Sequence, residues 1–208
     1  MADENHNGTD ILWSSFLNGD DKAFAAIYYD FINSLLSYGK KVTADRELLH
    51  DTIQEIFLDL FQKKDKRHTP IINLKGYLFM ALKNGILKKI VQNRVYDDKL
   101  ADDHQLNEFT MEYSFQDQLI SREISEEKHL RLQKAIVALT AKQKEIIYLR
   151  FEEELEYTEI AGLMNISVES ARKQLYRALT ALRQIFDNES FVILFSFLRK
   201  KALKFVHV

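Results

Sequence analysis

Apolar and polar residues alternate along the first half of the chain with the spacing of helices. Apolar side chains recur every three or four residues, so they fall on one face of a 3.6-residue spiral. The pattern predicts three long helices: the first begins at Asp20 or Asp21 and ends near Gly39, the second covers residues 45–63, and the third begins near Asn73. A short helix is expected before them, around residues 11–17.

The second half shows the same spacing in shorter blocks. It predicts four helices, at residues 126–139, after a Thr140 cap, at residues 157–164, and from a Ser167 cap to about Phe186. Between the halves, residues 95–127 hold ten acidic and two basic side chains, so a solvated tether is expected there. The predicted fold class is all-α, with two small helical domains joined by an acidic linker.

The amino-acid composition favours helices over sheets and excludes several kinds of functional site. The 208 residues include one proline and six glycines, too few for the tight turns of a sheet fold. The sequence has no cysteine, which excludes disulfides, thiolate zinc sites, cysteine nucleophiles and cysteine-ligated iron–sulfur clusters. This fits a reducing cytoplasm, and neither a secretory signal nor an apolar run of membrane-spanning length is visible.

Charge is divided unevenly although the whole chain carries only −2. Residues 1–94 carry a net charge of +1, residues 95–127 carry −8, and residues 128–208 carry +5. Because a polyanion responds to the local field, the near-neutral total is compatible with nucleic-acid-binding surfaces.

Residues 157–179, YTEIAGLMNISVESARKQLYRAL, have the spacing of a helix-turn-helix. Ala161 is small where two helices cross closely, Asn165 tolerates the left-handed backbone needed at the turn, and Ser167 caps the second helix. Basic side chains on that helix can reach phosphates or guanine edges, and Glu169 can accept from cytosine. The pattern predicts DNA binding; a helical hairpin with a basic solvated face is the alternative.

Together with the preceding block LTAKQKEIIYLRF, this segment resembles region 4 of bacterial RNA polymerase sigma factors of the sigma-70 family. The similarity is greatest to the small extracytoplasmic-function (ECF) subgroup, in which this helix-turn-helix reads the −35 promoter element. The resemblance implies promoter DNA and core RNA polymerase (its β′ coiled coil and β flap) as partners. It implies −35 contacts by Glu169, Ser170, Arg172, Lys173, Tyr176 and Arg177.

The first half resembles region 2 of the same family. The block ELLHDTIQEIFLDLFQ, residues 47–62, is similar to region 2.2, which docks on the β′ coiled coil. The resemblance places that docking surface on Asp51, Gln54 and Glu55, which helical spacing brings to one side. An ordinary acidic helix face is the alternative.

The block LKGYLFMALKNGILKKIVQNR, residues 74–94, resembles regions 2.3 and 2.4, which open and read the −10 element. Residues 62–94 carry nine basic side chains and one acidic, a pattern that attracts a phosphate backbone. Phe79 is expected in the core. The predicted −10 contacts are Lys75, Tyr77, Lys83, Asn84, Lys88, Lys89 and Arg94.

The predicted domains are a region 2-like domain at residues 10–94, an acidic linker at 95–127, a region 4-like domain at 128–186 and a tail helix at 187–208. The linker is expected either to mimic a polyanion in a basic polymerase channel or to act as a self-repelling tether. The tail is expected to pack on the second domain; a membrane-surface helix and an anti-sigma contact are the alternatives.

The predicted function is that of a sigma factor, without catalysis, cofactor or small-molecule substrate, acting in the cytoplasm. The resemblance leaves an anti-sigma factor open as a further partner. Glu47-x-x-His50 and Glu126-x-x-His129 have the spacing of di-iron ligands, but about one such pair is expected by chance. The other functional alternative is a helix-turn-helix repressor or activator that needs no polymerase docking.

Overall fold

The computed structural model describes residues 2–63, 71–96, 109 and 135–185. The chain divides into two units, Met1–Leu106 and Asn107–Val208. Seven α-helices and one π-helical segment, without any strand, make up the regular structure of the described residues. The all-α prediction is therefore confirmed.

The first unit contains helices α1 (Ala2–Leu17), α2 (Asp21–Val42), α3 (Arg46–Gln62) and α4 (Leu74–Tyr96). Side-chain oxygens cap three of them, as the short polar residues at these positions allow. Asp20 accepts from the Lys22 N–H at 2.9 Å, Asp45 from Leu48 N–H at 3.0 Å, and Asn73 from Gly76 N–H at 2.9 Å. α1 is longer than the predicted segment of residues 11–17.

Two glycines let the helices of the first unit approach closely. A Cβ on Gly39 would collide with the Leu49 side chain, and one on Gly85 would lie 2.7 Å from the Thr52 methyl. Gly39 lies near the end of α2, as predicted, but is still inside the helix, where this buried glycine faces α3. The core between the helices includes Phe16, Ile27, Leu35, Tyr38, Leu49, Ile53, Leu60, Leu78, Phe79, Leu82 and Ile86.

The described part of the second unit contains α5 (Ala141–Ile147), a π-helical segment (Tyr148–Glu152), α6 (Tyr157–Met164) and α7 (Val168–Ile185). Thr140 caps α5 in a reciprocal capping box with Gln143, as the sequence predicted for the threonine. The π-helical segment was not predicted. Most of the predicted helix at residues 126–139, together with Phe186 and the tail at 187–208, lies outside the described residues.

The turn between α6 and α7 has the predicted backbone geometry. Asn165 adopts the left-handed conformation, with φ 52° and ψ 50°. Ser167 accepts the Ser170 N–H at 3.1 Å and thereby caps the first turn of α7. This turn joins α6 to α7, whose outer face is exposed to solvent.

Phe109, which lies within the predicted linker, is part of the second unit. Phe109 is 6% exposed, and its ring centroid lies 5.8 Å from that of Tyr148. The hydroxyl of Tyr148 in turn donates to the buried Glu153 carboxylate at 2.7 Å. Phe109 thus helps to cover a buried tyrosine–carboxylate pair.

Candidate nucleic-acid interface

The outer face of α7 carries every residue that the sequence assigned to −35 contacts. The opposite face is apolar and packs toward α5 and α6 through Ala171, Leu175, Ala178 and Leu182. Helical spacing then directs the remaining side chains outward. All six are exposed: Glu169, Ser170, Arg172, Lys173, Tyr176 and Arg177.

Contacts on this face differ between its three basic residues. Lys173 forms an ion pair with Glu169 one turn earlier, at 2.5 Å. The Arg172 guanidinium lies 5.4 Å from the ring centroid of Tyr157, the first residue of α6. In the part of the chain that the structure describes, no carboxylate pairs with Arg172 or Arg177. Both guanidiniums therefore keep the donors that recognise phosphate or guanine.

The residues predicted to contact the −10 element are all on α4 but do not share one face. Tyr77, Asn84 and Lys88 follow one stripe by their spacing of seven and four residues. Asn84 and Lys88 are exposed, whereas Tyr77 is half-buried. Lys75, Lys83 and Lys89 are half-buried and lie off that stripe, and the Arg94 side chain lies outside the described residues.

Phe79 is fully buried, with its ring 5.3 Å from that of Tyr38. The expectation that it belongs to the core is confirmed. Of the two aromatic residues of α4 considered in the sequence, Tyr77 is thus the one that keeps part of its ring surface exposed.

The predicted polymerase-docking residues share an exposed face of α3. Asp51, Gln54 and Glu55 are all exposed, while the opposite face buries Leu49, Ile53 and Leu60. Leu58 follows Gln54 by four residues on the same face and is 56% exposed. Leu58 was not predicted as part of this face, because the resemblance assigns the docking surface to polar residues.

An ion pair joins the predicted docking face to the predicted −10 surface. Lys89 Nζ lies 2.9 Å from Glu55 Oε1, and the side chains are 23% and 65% exposed. An exposed pair of this kind contributes roughly 0–1 kcal/mol to stability. Its main consequence is positional, because the two predicted surfaces meet where α3 packs on α4.

The left-handed Asn165 turn, the buried face of α7 and its exposed basic face together define a helix-turn-helix of the DNA-binding type. Residues 129–182 match the family model described as sigma-70, region 4. The resemblance to sigma-70 region 4 recognised in the sequence is thereby confirmed over these residues.

Solved structures show that the fold extends beyond region 4. The structure of CnrH in complex with the cytosolic domain of CnrY matches with a TM-score of 0.51 and 15% identity, covering 86% of this chain and 96% of that chain. The sigma factor RpoE from Bartonella quintana, in complex with the anti-sigma factor NepR, matches with a TM-score of 0.51 and 18% identity, covering 79% and 96%. At these identities the two matches show a shared fold. No curated protein sequence matches the chain significantly.

The described residues contain neither a membrane-spanning helix nor a cluster of metal-binding side chains. None of their helices is long and apolar enough to span a membrane. They contain no cluster of three or more acidic or histidine side chains that could hold a metal ion. Glu47 and His50 are both exposed on α3, and His129 lies outside the described residues.

Proposed function

We propose that this protein is a sigma factor that brings core RNA polymerase to promoters with a −35 and a −10 element and helps to open the −10 region. The observation that carries the proposal is the exposed face of α7 within a matched region 4, where six side chains suited to base and phosphate contact point to solvent. Nucleotide addition would belong to the core enzyme, in the cytoplasm where polymerase and DNA are found.

The other parts of the proposal rest on the first unit. The exposed Asp51, Gln54 and Glu55 support docking on the β′ coiled coil. The basic surface of α4 supports contact with the −10 element, with the exposed Asn84 and Lys88 as its most accessible members. We further propose the domains at residues 10–94 and 128–186 as the two binding modules, and the β flap as a second polymerase contact.

In vitro transcription tests the function directly. Purified protein is added to core polymerase that lacks any sigma factor, genomic fragments serve as template, and start sites are mapped. Transcripts that begin at shared promoter elements are expected only when both proteins are present. If the protein instead binds duplex DNA without polymerase and never directs a start, it is a helix-turn-helix repressor or activator.

Two pairs of substitutions separate the proposed surfaces. Arg172→Ala with Arg177→Ala is expected to weaken −35-dependent transcription about tenfold or more while core binding stays unchanged, because each arginine supplies a base or phosphate contact. Gln54→Ala with Glu55→Ala is expected to weaken core binding while α7 keeps its DNA contacts.

The measurements are run-off transcription and co-elution with core polymerase on gel filtration. Helical circular dichroism serves as the folding control for both pairs. Equal loss of both activities in each pair would contradict two separate surfaces.

We also propose an anti-sigma partner. The RpoE structure that shares this fold contains the anti-sigma factor NepR, and the CnrH structure contains the cytosolic domain of CnrY. Co-purification of the endogenous protein, followed by inhibition of the transcription assay by the recovered partner, would establish such regulation here.

A further inference from the structure

The ring of Tyr157 lies near two guanidiniums that come from different elements. Its centroid is 5.1 Å from Arg150 Cζ and 5.4 Å from Arg172 Cζ. Arg150 belongs to the π-helical segment and Arg172 to α7, so Tyr157 at the start of α6 is the point where three elements meet. Both distances are within the range of cation–π attraction.

Arg150 is held independently of Tyr157. Its Nη1 donates to the Leu155 carbonyl at 2.8 Å and to Glu156 Oε1 at 3.1 Å, and its side chain is only 28% exposed. The turn that supplies these acceptors is itself fixed, because Leu155 is 1% exposed and its N–H donates to the Leu149 carbonyl at 3.0 Å. Arg150 therefore has a carboxylate partner and a defined position.

Arg172 has a different set of contacts. Its side chain is exposed on α7, and no carboxylate pairs with it in the described part of the chain. The ring of Tyr157 is the contact that the structure gives to its guanidinium. A flexible arginine held against a ring loses less rotamer entropy on binding DNA, and stacking leaves the in-plane N–H donors available.

We infer that Tyr157 is a positioning residue for promoter recognition: it holds the Arg172 guanidinium in place on the DNA-facing surface of α7, while Arg150 holds the ring from the side of the π-helical segment. This inference rests on the proposed function, because it assigns a role to a side chain that acts through Arg172. The same geometry is not available to Arg177, which lies more than one turn further along α7.

The test is a double-mutant cycle in reconstituted holoenzyme. The probe is a fluorescent promoter duplex taken from a start site mapped as above, and the readout is its dissociation constant at fixed salt. Tyr157→Leu is expected to weaken binding roughly three- to fivefold, as loss of an exposed cation–π contact implies. Tyr157→Phe, which keeps the ring, is expected to bind like the wild type.

The Arg172→Ala background distinguishes positioning from a structural role. There, Tyr157→Leu is expected to cause no further loss, since the residue it positions is absent. In the matched Arg177→Ala background the three- to fivefold loss is expected to persist. An equal loss in both backgrounds would show that Tyr157 supports the fold, and thermal unfolding of each variant would then reveal the same defect.

Two further results would overturn the inference. Tighter binding by Tyr157→Leu would mean that the ring sequesters Arg172 from DNA. No change in Tyr157→Leu, with weaker binding in Arg172→Ala, would mean that the arginine needs no positioning. Failure of the proposed function is distinguishable from both, because then the protein would not co-elute with core polymerase, or neither arginine substitution would alter promoter binding.

Discussion

Leu58 is an apolar side chain surrounded by polar ones on the outer face of α3. It is 56% exposed and follows Gln54 on the stripe that also holds Asp51 and Glu55. Protein interfaces commonly have a small apolar centre within a polar rim, and the centre contributes most of the binding free energy. If this face docks on core polymerase, Leu58 would be the centre of the contact.

Leu58→Ala is therefore expected to weaken core binding by about 1–2 kcal/mol, or roughly five- to thirtyfold in the dissociation constant. The measurement is titration of labelled protein with core polymerase. Ile11→Ala is the matched control, because Ile11 is similarly exposed, at 60%, on α1 outside the proposed face. Equal affinity of the Leu58→Ala and Ile11→Ala proteins for core polymerase would show that Leu58 is not part of the interface.

At the scale of single residues, the sequence predicted those features that depend on neighbours in the chain. Asn165 at the left-handed turn and Thr140 as a cap follow from backbone requirements within three or four residues. The contact between Tyr157 and Arg172 could not be predicted in this way, because it depends on how α6 crosses α7.

At Gly39, the packing between helices determines the role of the residue, whereas its local sequence pattern suggests a helix cap. A glycine near the end of an apolar stripe resembles a C-terminal cap, yet α2 continues to Val42. The glycine is needed because α3 approaches with Leu49, which is 1% exposed and has little room to move. Its role was therefore not visible without the neighbouring helix.

Gly39→Ala is expected to destabilise the first unit by a net of up to about 2 kcal/mol. Overpacking costs about 1–3 kcal/mol, and the gain in helix propensity returns about 1 kcal/mol. Gly8→Ala is the matched control: Gly8 also lies in a helix, but an added Cβ meets nothing within 4 Å, so only the gain is expected. The measurement is the midpoint of urea unfolding, and a higher midpoint for Gly39→Ala would contradict the close approach.

The π-helical segment is a second feature that the apolar spacing of the sequence did not predict. Residues 148–152 have the apolar spacing of a continuing α-helix, but the Glu153 N–H donates to the Tyr148 carbonyl at 3.2 Å, across five residues. The wider turn is followed by Glu154 at a positive φ of 53° and by the buried Leu155. Such segments are frequent at functional sites, and here the segment carries Arg150.

At the scale of the whole molecule, charge predicts a domain boundary but not every contact within it. Residues 95–127 are strongly acidic, which predicts a solvated tether, but Phe109 within them is buried against Tyr148. The charge composition is an average over many residues, so it cannot reveal that a single side chain, Phe109, packs against Tyr148. The boundary between the two compact units falls at residues 106 and 107, ahead of that ring.

The position of Phe109 leads to a prediction about where the second module must begin. A fragment of residues 107–208 is expected to be more stable than one of residues 128–208, because only the longer fragment covers the Tyr148–Glu153 pair with Phe109. Loss of a buried phenylalanine costs about 3 kcal/mol, and in a domain of about 100 residues this lowers Tm by roughly 10 °C or more.

Phe109→Ala in the longer fragment distinguishes the contribution of the ring to stability from that of the other added residues. The variant is expected to unfold near the temperature of the shorter fragment, since it retains every other residue of the linker yet exposes the same tyrosine–carboxylate pair to water. Thermal unfolding followed by circular dichroism gives all three midpoints. If the midpoint of the variant equals that of the longer fragment, residues other than Phe109 stabilise the module. If all three midpoints are equal, the acidic segment is a tether throughout, and the boundary proposed at residue 128 is correct.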